Sequence, residues 1–228
     1  MKMFSLLLAV LATAILVGSV AAQEAEESTK DFMEFAMYGG GSMPMGGISD
    51  WSVTSPQTGT EKLGAEFGYS FGVDVGHFLT PDLVVGLTLG FAKYGVDADI
   101  AAAAAMNHQM ISPAAYLKKY FQGESNFLPY LKGQVGVDVV KFTTRVVDPN
   151  AGGYEYREMS YHPALAFGIG GGVLYYTFDY GGIFAEANYH MALSSDVNST
   201  YEGRDYTFGK NASVFDLHAG IKVFFGGE

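Results

Sequence analysis

Residues 63–76 read LGAEFGYSFGVDVG. Leu63, Ala65, Phe67, Tyr69, Phe71, Val73 and Val75 take the odd positions; Gly64, Glu66, Gly68, Ser70, Gly72, Asp74 and Gly76 take the even ones. Successive side chains of a strand point to opposite faces, so this segment has a large apolar face and a small or charged one. At about 3.3 Å per residue it is long enough to cross a bilayer at a tilt.

Working outward, the same two-faced pattern returns along the chain. In 83–95, Val85, Leu87, Leu89 and Phe91 oppose Gly86, Thr88, Gly90 and Ala92. Further on, Leu131, Val135, Val137 and Val139 oppose Lys132, Gln134, Gly136 and Asp138. The run HPALAFGIGGGVLYY alternates large residues with Ala and Gly, and Ile183, Ala185, Ala187, Tyr189 and Met191 oppose Glu186, Asn188 and His190. The closing strand sets Phe215, Leu217, Ala219, Ile221, Val223 and Phe225 against Asp216, His218, Gly220 and Lys222. A first strand is expected over 31–43, with Met33, Phe35 and Met37 opposing Glu34 and Tyr38. In 107–121 neither parity separates apolar from polar, so the facing of that strand stays open.

The expected connections alternate in length. Long ones lie near 44–61, 96–106, 144–157 and 196–210, and short ones near 78–82, 122–126 and 178–182. An up-and-down barrel places all the long connections at one end and all the short ones at the other. Phe78, Tyr120, Phe121, Phe127, Tyr130, Tyr175, Tyr176, Phe178, Tyr180 and Phe225 crowd the short-turn end, where an interfacial girdle is expected.

The start of the chain, MKMFSLLLAVLATAILVGSVAAQ, has one charge at Lys2, a long apolar run, and Val20 and Ala22 at the −3 and −1 positions before Gln23. It reads as a cleaved secretory signal peptide over 1–22, followed by an acidic flexible lead-in over 23–30 and a barrel over 31–228. With no cysteine, stability must come from the backbone ladder and packing. The formal charge of −11, without a basic cluster, argues against nucleic acid as a partner. High apolar content (49%) with 30 glycines and no spanning helix after the signal fits a membrane barrel, half of whose strand residues stay polar or small.

The segments SPAAYLKKYF, LPYLKGQVGVDV and DLHAGIKVFF carry a resemblance to the small eight-stranded outer-membrane β-barrel family. That resemblance covers residue 31 to the C-terminus. It implies an all-β, eight-stranded antiparallel up-and-down transmembrane barrel with four long outer loops and three short periplasmic turns. It also implies an outer-membrane location, with outer-membrane lipid or lipopolysaccharide and the outer-membrane assembly machinery as partners. A soluble lipocalin-like carrier in the periplasm is the alternative, with the same alternation turned inside out. Large residues on one face and glycines on the other favour the membrane, as do the aromatics near the short turns. The glycine-bearing face also has fewer Lys and Glu than a solvent-facing strand surface normally carries.

With the large face outward, Glu66, Asp74, Lys132, Gln134, Asp138, Glu186, Asn188, His190, Asp216, His218 and Lys222 are expected inside, as a salt-bridged network. Eight strands enclose a space that side chains fill, which disfavours a porin and leaves at most a narrow channel. Gly68-Tyr69-Ser70-Phe71-Gly72 matches G-x-S-x-G by chance, because Ser70 lies mid-strand with no helix following. A lipid A-modifying barrel enzyme of the deacylase or acyltransferase type would use His190 and Ser194 with Glu186. Four residues of strand, about 13 Å, are too long for a direct His190–Ser194 hydrogen bond.

Asp196, Asn198, Thr200 and Glu202 alternate like the start of a calcium loop. The required glycine and distal glutamate are missing, so a solvated loop is expected, with a surface calcium site as the alternative. No other metal and no cofactor is indicated. Trp51, Tyr154, Tyr156, Tyr201 and Tyr206, in the long loops, are candidate contacts for an unidentified surface ligand. The expected role is non-enzymatic, in envelope integrity or in surface interaction.

Overall fold

The computed structural model describes residues 32–49, 52–55, 59–62, 64–96, 107–121, 125–148, 153–160, 163–193, 198–201, 204–207 and 211–226. The expected signal peptide, the lead-in, Trp51 and the centre of the 96–106 connection lie outside them.

The alternating segments become long strands: β1 (Met33–Gly46), β4 (Ala65–Thr80), β5 (Leu83–Val96), β6 (Asn107–Tyr120), β7 (Phe127–Asp148), β9 (Ala164–Phe178), β10 (Gly181–Leu193) and β13 (Asn211–Phe225). Each pairs antiparallel with its neighbours in the order β6-β5-β4-β1-β13-β10-β9-β7, and β6 pairs with β7 to close the ring. Closure leaves no open edge, so the ladder's N–H and C=O groups are satisfied within the wall.

The large face points outward. Phe67 is 68% exposed and Ile169 66%, and Met37, Phe71, Leu87, Leu131, Ile183 and Leu217 are exposed with them. The charged residues of the opposite parity are buried inside the ring. This is the reverse of a lipocalin-like carrier, and only a lipid solvent stabilises such an exterior. The undecided strand β6 resolves the same way, with His108, Met110, Tyr116, Lys118 and Tyr120 inside and Ile111 and Leu117 outside.

Two expectations fail, each for a local reason. The register between β4 and β5 shifts between Ala65 and Gly68, a bulge that reverses the parity beyond it. Glu66 is therefore exposed beside the outward position of Gly95 and does not belong to the interior set. The aromatic girdle also divides. Phe121, Phe127, Phe178, Tyr180 and Phe225 are exposed, whereas Phe78, Tyr120, Tyr130 and Tyr176 turn inward with Leu174, Phe184 and Phe224. They close the short-turn end as an apolar plug.

Three long connections contain strands. Over 144–157 the chain is mostly not loop: β7 continues to Asp148 and turns back as β8 (Gly153–Ser160), paired from Lys141↔Ser160 to Asp148↔Gly153. The connections between β1 and β4 and between β10 and β13 contribute β2 (Ser52–Ser55), β3 (Gly59–Lys62), β11 (Asn198–Tyr201) and β12 (Arg204–Thr207). These form one sheet, β11-β12-β2-β3, in which Thr54 pairs with Asp205 and Val53 with Tyr206. Four-residue strands whose partners lie so far apart in the chain leave no local periodicity to read.

Strand approach differs sharply around the wall. A Cβ added at Gly40 would sit 1.8 Å from the Leu217 carbonyl oxygen, whereas one at Gly133 meets nothing within 4 Å. Gly40→Ala is expected to cost about 1–3 kcal/mol by forcing β1 and β13 apart. Gly133→Ala should stay within about 0.5 kcal/mol of wild type. Urea titration of the refolded protein in lipid vesicles checks both, and equal midpoints for the two variants would contradict this packing.

Candidate functional site: the charged interior of the barrel

The inward parity of each strand sends its polar side chains into one confined column. Nearest the aromatic plug, Glu34 (β1), Asp74 (β4), Lys118 (β6), Lys132 (β7), Glu186 (β10) and Lys222 (β13) are all buried. Lys118 pairs with Glu34 and lies 3.5 Å from Asp74. Lys132 donates to Asp74 at 2.8 Å and lies 3.6 Å from Glu186. Lys222 lies 4.0 Å from Glu34 and donates to the Tyr120 hydroxyl at 2.8 Å. Three carboxylates thus meet three ammonium groups, and this layer is neutral.

Tyrosines complete the coordination. Tyr116 donates to Glu34 at 2.8 Å and Tyr130 to Glu186 at 2.9 Å, and Tyr120 donates to the second Glu34 oxygen. The lysines also lie over ring faces, Lys222 at 4.2 Å from the Tyr130 centroid and Lys118 at 4.6 Å from that of Tyr116. Inward glycines seat these rings. A Cβ at Gly86 would fall 2.5 Å from the Tyr116 ring, and one at Gly172 would fall 2.6 Å from the Tyr130 ring.

Above this layer the groups change character. Gln134 Nε2 lies 3.1 Å from His190 Nδ1, and His190 Nε2 shares a 2.6 Å hydrogen bond with Asp138. His218 Nε2 shares a 2.8 Å hydrogen bond with Ser70, and its ring stacks against Tyr38 at 4.6 Å. Ser42 donates to Tyr94 at 3.0 Å, and the Tyr38 and Thr88 hydroxyls lie 3.1 Å apart. Asn188 and Asp216 are register partners across β10 and β13 and both face inward. An apolar layer that includes Ile48, Ala92, Tyr94, Met110 and Val214 lies toward the long-loop end.

The expected interior residues Asp74, Lys132, Asp138, Glu186, Asn188, His190, Asp216, His218 and Lys222 are buried, and Gln134 is half-buried. Two residues of the catalytic alternative, Glu186 and His190, have separate partners. Glu186 binds Tyr130 and Lys132 in the lower layer, whereas His190 binds Asp138 and Gln134. His190 is turned away from the lipid face, and Ser194 lies outside the described residues. Asn198 and Thr200 lie on β11, a strand and not a calcium-type loop, while Asp196 and Glu202 fall outside the described residues. Among the described residues no cluster of His, Asp and Glu has metal-site geometry. Tyr154 and Tyr156 fall on β8, Tyr201 on β11 and Tyr206 on β12, with side chains outside the described set.

Sequence reasoning missed two members of the network. Glu34 was visible as the polar parity of the first strand. Lys118 was hidden because adjacent Lys119 carries the same charge to the other side, where it pairs with Asp82.

No protein-family model matches the sequence, and no curated protein matches it significantly. Solved structures do match the fold. Neisserial surface protein A is 16% identical, with 86% of this chain and 99% of that chain covered at a TM-score of 0.52. The outer membrane protein OprG from Pseudomonas aeruginosa is 15% identical, with 86% and 97% covered at a TM-score of 0.52. The chain has the fold of the small eight-stranded outer-membrane β-barrels. In an outer-membrane barrel the interior charges lie at membrane depth, so each must find its partner inside the wall.

Removing Lys132 would leave Asp74 and Glu186 facing each other without their shared cation. Lys132→Met is expected to cost about 3–5 kcal/mol, and adding Asp74→Asn should recover part of that loss. Urea unfolding in vesicles measures the cycle, and strictly additive losses would show that the two groups do not interact. At the Pro81–Asp82 turn the Lys119 ammonium, with Thr80 donating at 2.7 Å, holds the Asp82 carboxyl below its ordinary range. Its contribution is therefore complete above the ordinary aspartate pKa and is lost as pH falls through the lowered one. Solvent screening limits it to under about 1 kcal/mol, so Lys119→Ala should barely move the urea midpoint at pH 7.

Proposed function

We propose that this barrel resides in the outer membrane as a closed, non-enzymatic scaffold that presents its long-loop end for surface contacts. The observation that carries the reading is the filled column: a neutral layer of lysines and carboxylates bound by tyrosines, stacked on an aromatic plug. Such a column serves the stability of the wall and opposes solute flow. The inward seating of His190 on Asp138 supports a structural role for that histidine.

The opposite end supports the contact role. The sheet β11-β12-β2-β3 joins two connections that are distant in sequence, and β7 pairs with β8 in a hairpin at the same end. A paired platform presents side chains at lower entropic cost than free loops. Tyr154, Tyr156, Tyr201 and Tyr206 fall on its strands, so an outer-leaflet lipopolysaccharide or a surface ligand is the expected partner class. Folding into the membrane would depend on the outer-membrane assembly machinery.

Two measurements on one preparation test the reading. In planar bilayers the purified protein is expected to give no steady ion conductance. In cells it is expected to fractionate with the outer membrane and to migrate differently on gels with and without boiling. Conducting steps would overturn the closed scaffold, and recovery as a soluble periplasmic protein would overturn the membrane location.

A further inference from the structure

The layers of the barrel interior differ in charge balance. Near the plug three lysines offset three carboxylates, but higher up Asp138 and Asp216 are buried, and Lys132, which borders their level, is already bonded to Asp74 and lies 3.6 Å from Glu186. The titratable groups facing them include His190, His218 and Tyr94. His190 Nε2 pairs with Asp138 at 2.6 Å and its Nδ1 meets Gln134. His218 is engaged with Ser70. Burying carboxylates without a compensating charge is costly, so this layer calls for a cation.

A cavity of about 40 Å³ lies at this level, lined by Asp216, Asn188, Ser112, His190, His218 and Lys132 among others. Three buried oxygens of its lining have no hydrogen-bond partner in the protein: Asp216 Oδ1, Asn188 Oδ1 and Ser112 Oγ. Asp216 is 7% exposed and Asn188 6%, and the two are cross-strand neighbours with both side chains inward. Ser70 bonds the Asp216 carboxyl, whose Oδ1 is left without a partner. The cavity has room for about three water-sized bodies, a small ion with part of its hydration.

We propose that this cavity is a binding site for a monovalent cation such as sodium, held by Asp216 Oδ1 and Asn188 Oδ1, with Ser112 Oγ across from them. One unpaired carboxylate with neutral oxygens suits a single positive charge. Calcium sites draw six to eight oxygens, usually with several carboxylates, and the other carboxylate lining this cavity, Glu186, is committed to Tyr130 and Lys132. The ion offsets the charge of Asp216 as Lys132 offsets that of Asp74, so the site goes beyond the scaffold role and does not depend on it.

The test uses the purified full-length chain refolded in detergent micelles, melted in sodium chloride and in choline chloride at equal ionic strength. Sodium is expected to raise Tm with saturation, by about 3–6 °C at ten times its dissociation constant, while bulky choline does not. Asp216→Asn should remove the sodium dependence while keeping the melting temperature in choline at or above that of wild type. If that variant fails to fold, Asn188→Ala should shift the sodium midpoint at least about tenfold higher. Equal wild-type melting in the two salts would overturn the site. So would a sodium effect unchanged in Asp216→Asn or Asn188→Ala, or stabilisation by calcium chloride and not by sodium.

Discussion

Every ion pair in the lower layer of the barrel joins strands that are distant in the sequence. Lys132 on β7 reaches Asp74 on β4 and Glu186 on β10, and Lys118 on β6 reaches Glu34 on β1. Because side chains alternate faces, a one-residue slip of any of these strands would move its charge from the column to the lipid. Exposing a lysine at the bilayer midplane costs about 2–4 kcal/mol, and its abandoned partner inside adds to that. The network therefore sets register all around the wall. Its net contribution to stability is smaller than its contribution to choosing one barrel among many.

The tyrosines and glycines follow from the same constraint. A neutral set of buried ions still has lone pairs to satisfy, and Tyr116, Tyr120 and Tyr130 supply hydroxyl donors while their ring faces lie against the lysines. Rings of that size fit a narrow barrel only where the facing wall carries no side chain. Gly76 and Gly86 leave that space for Tyr116, and Gly172 leaves it for Tyr130. Gly72, Gly76, Gly86 and Gly172 thus mark seats for tyrosine side chains contributed by other strands.

The two ends are closed by different means. Phe78, Tyr120, Phe224 and their neighbours form an aromatic plug at the short turns, with Phe78 and Tyr120 stacked at 6.1 Å between centroids. At the other end, backbone pairing between separate connections builds a second sheet. The charged column lies between these two ends.

The barrel, its outward apolar face and most of its interior charges were legible in the sequence, because period-two alternation is local and each strand of 63–76 type declares its own two faces. Asp74, Lys132, Glu186, Asp216 and Lys222 could be placed inside from parity alone. Parity could not say which of them touch, since partners on β4, β7 and β10 are set by closure, tilt and shear. Nor could it show that Lys118 points in and Lys119 out, because identical neighbours carry no contrast. The bulge that expels Glu66 and the inward turn of Tyr120 and Tyr130 depend on neighbouring strands, as do the pairings of β2 with β12. The sequence by itself determined a two-faced strand repeated until it must close. Tertiary structure alone decided the pairing of charges, because buried ions choose their partners by position in space.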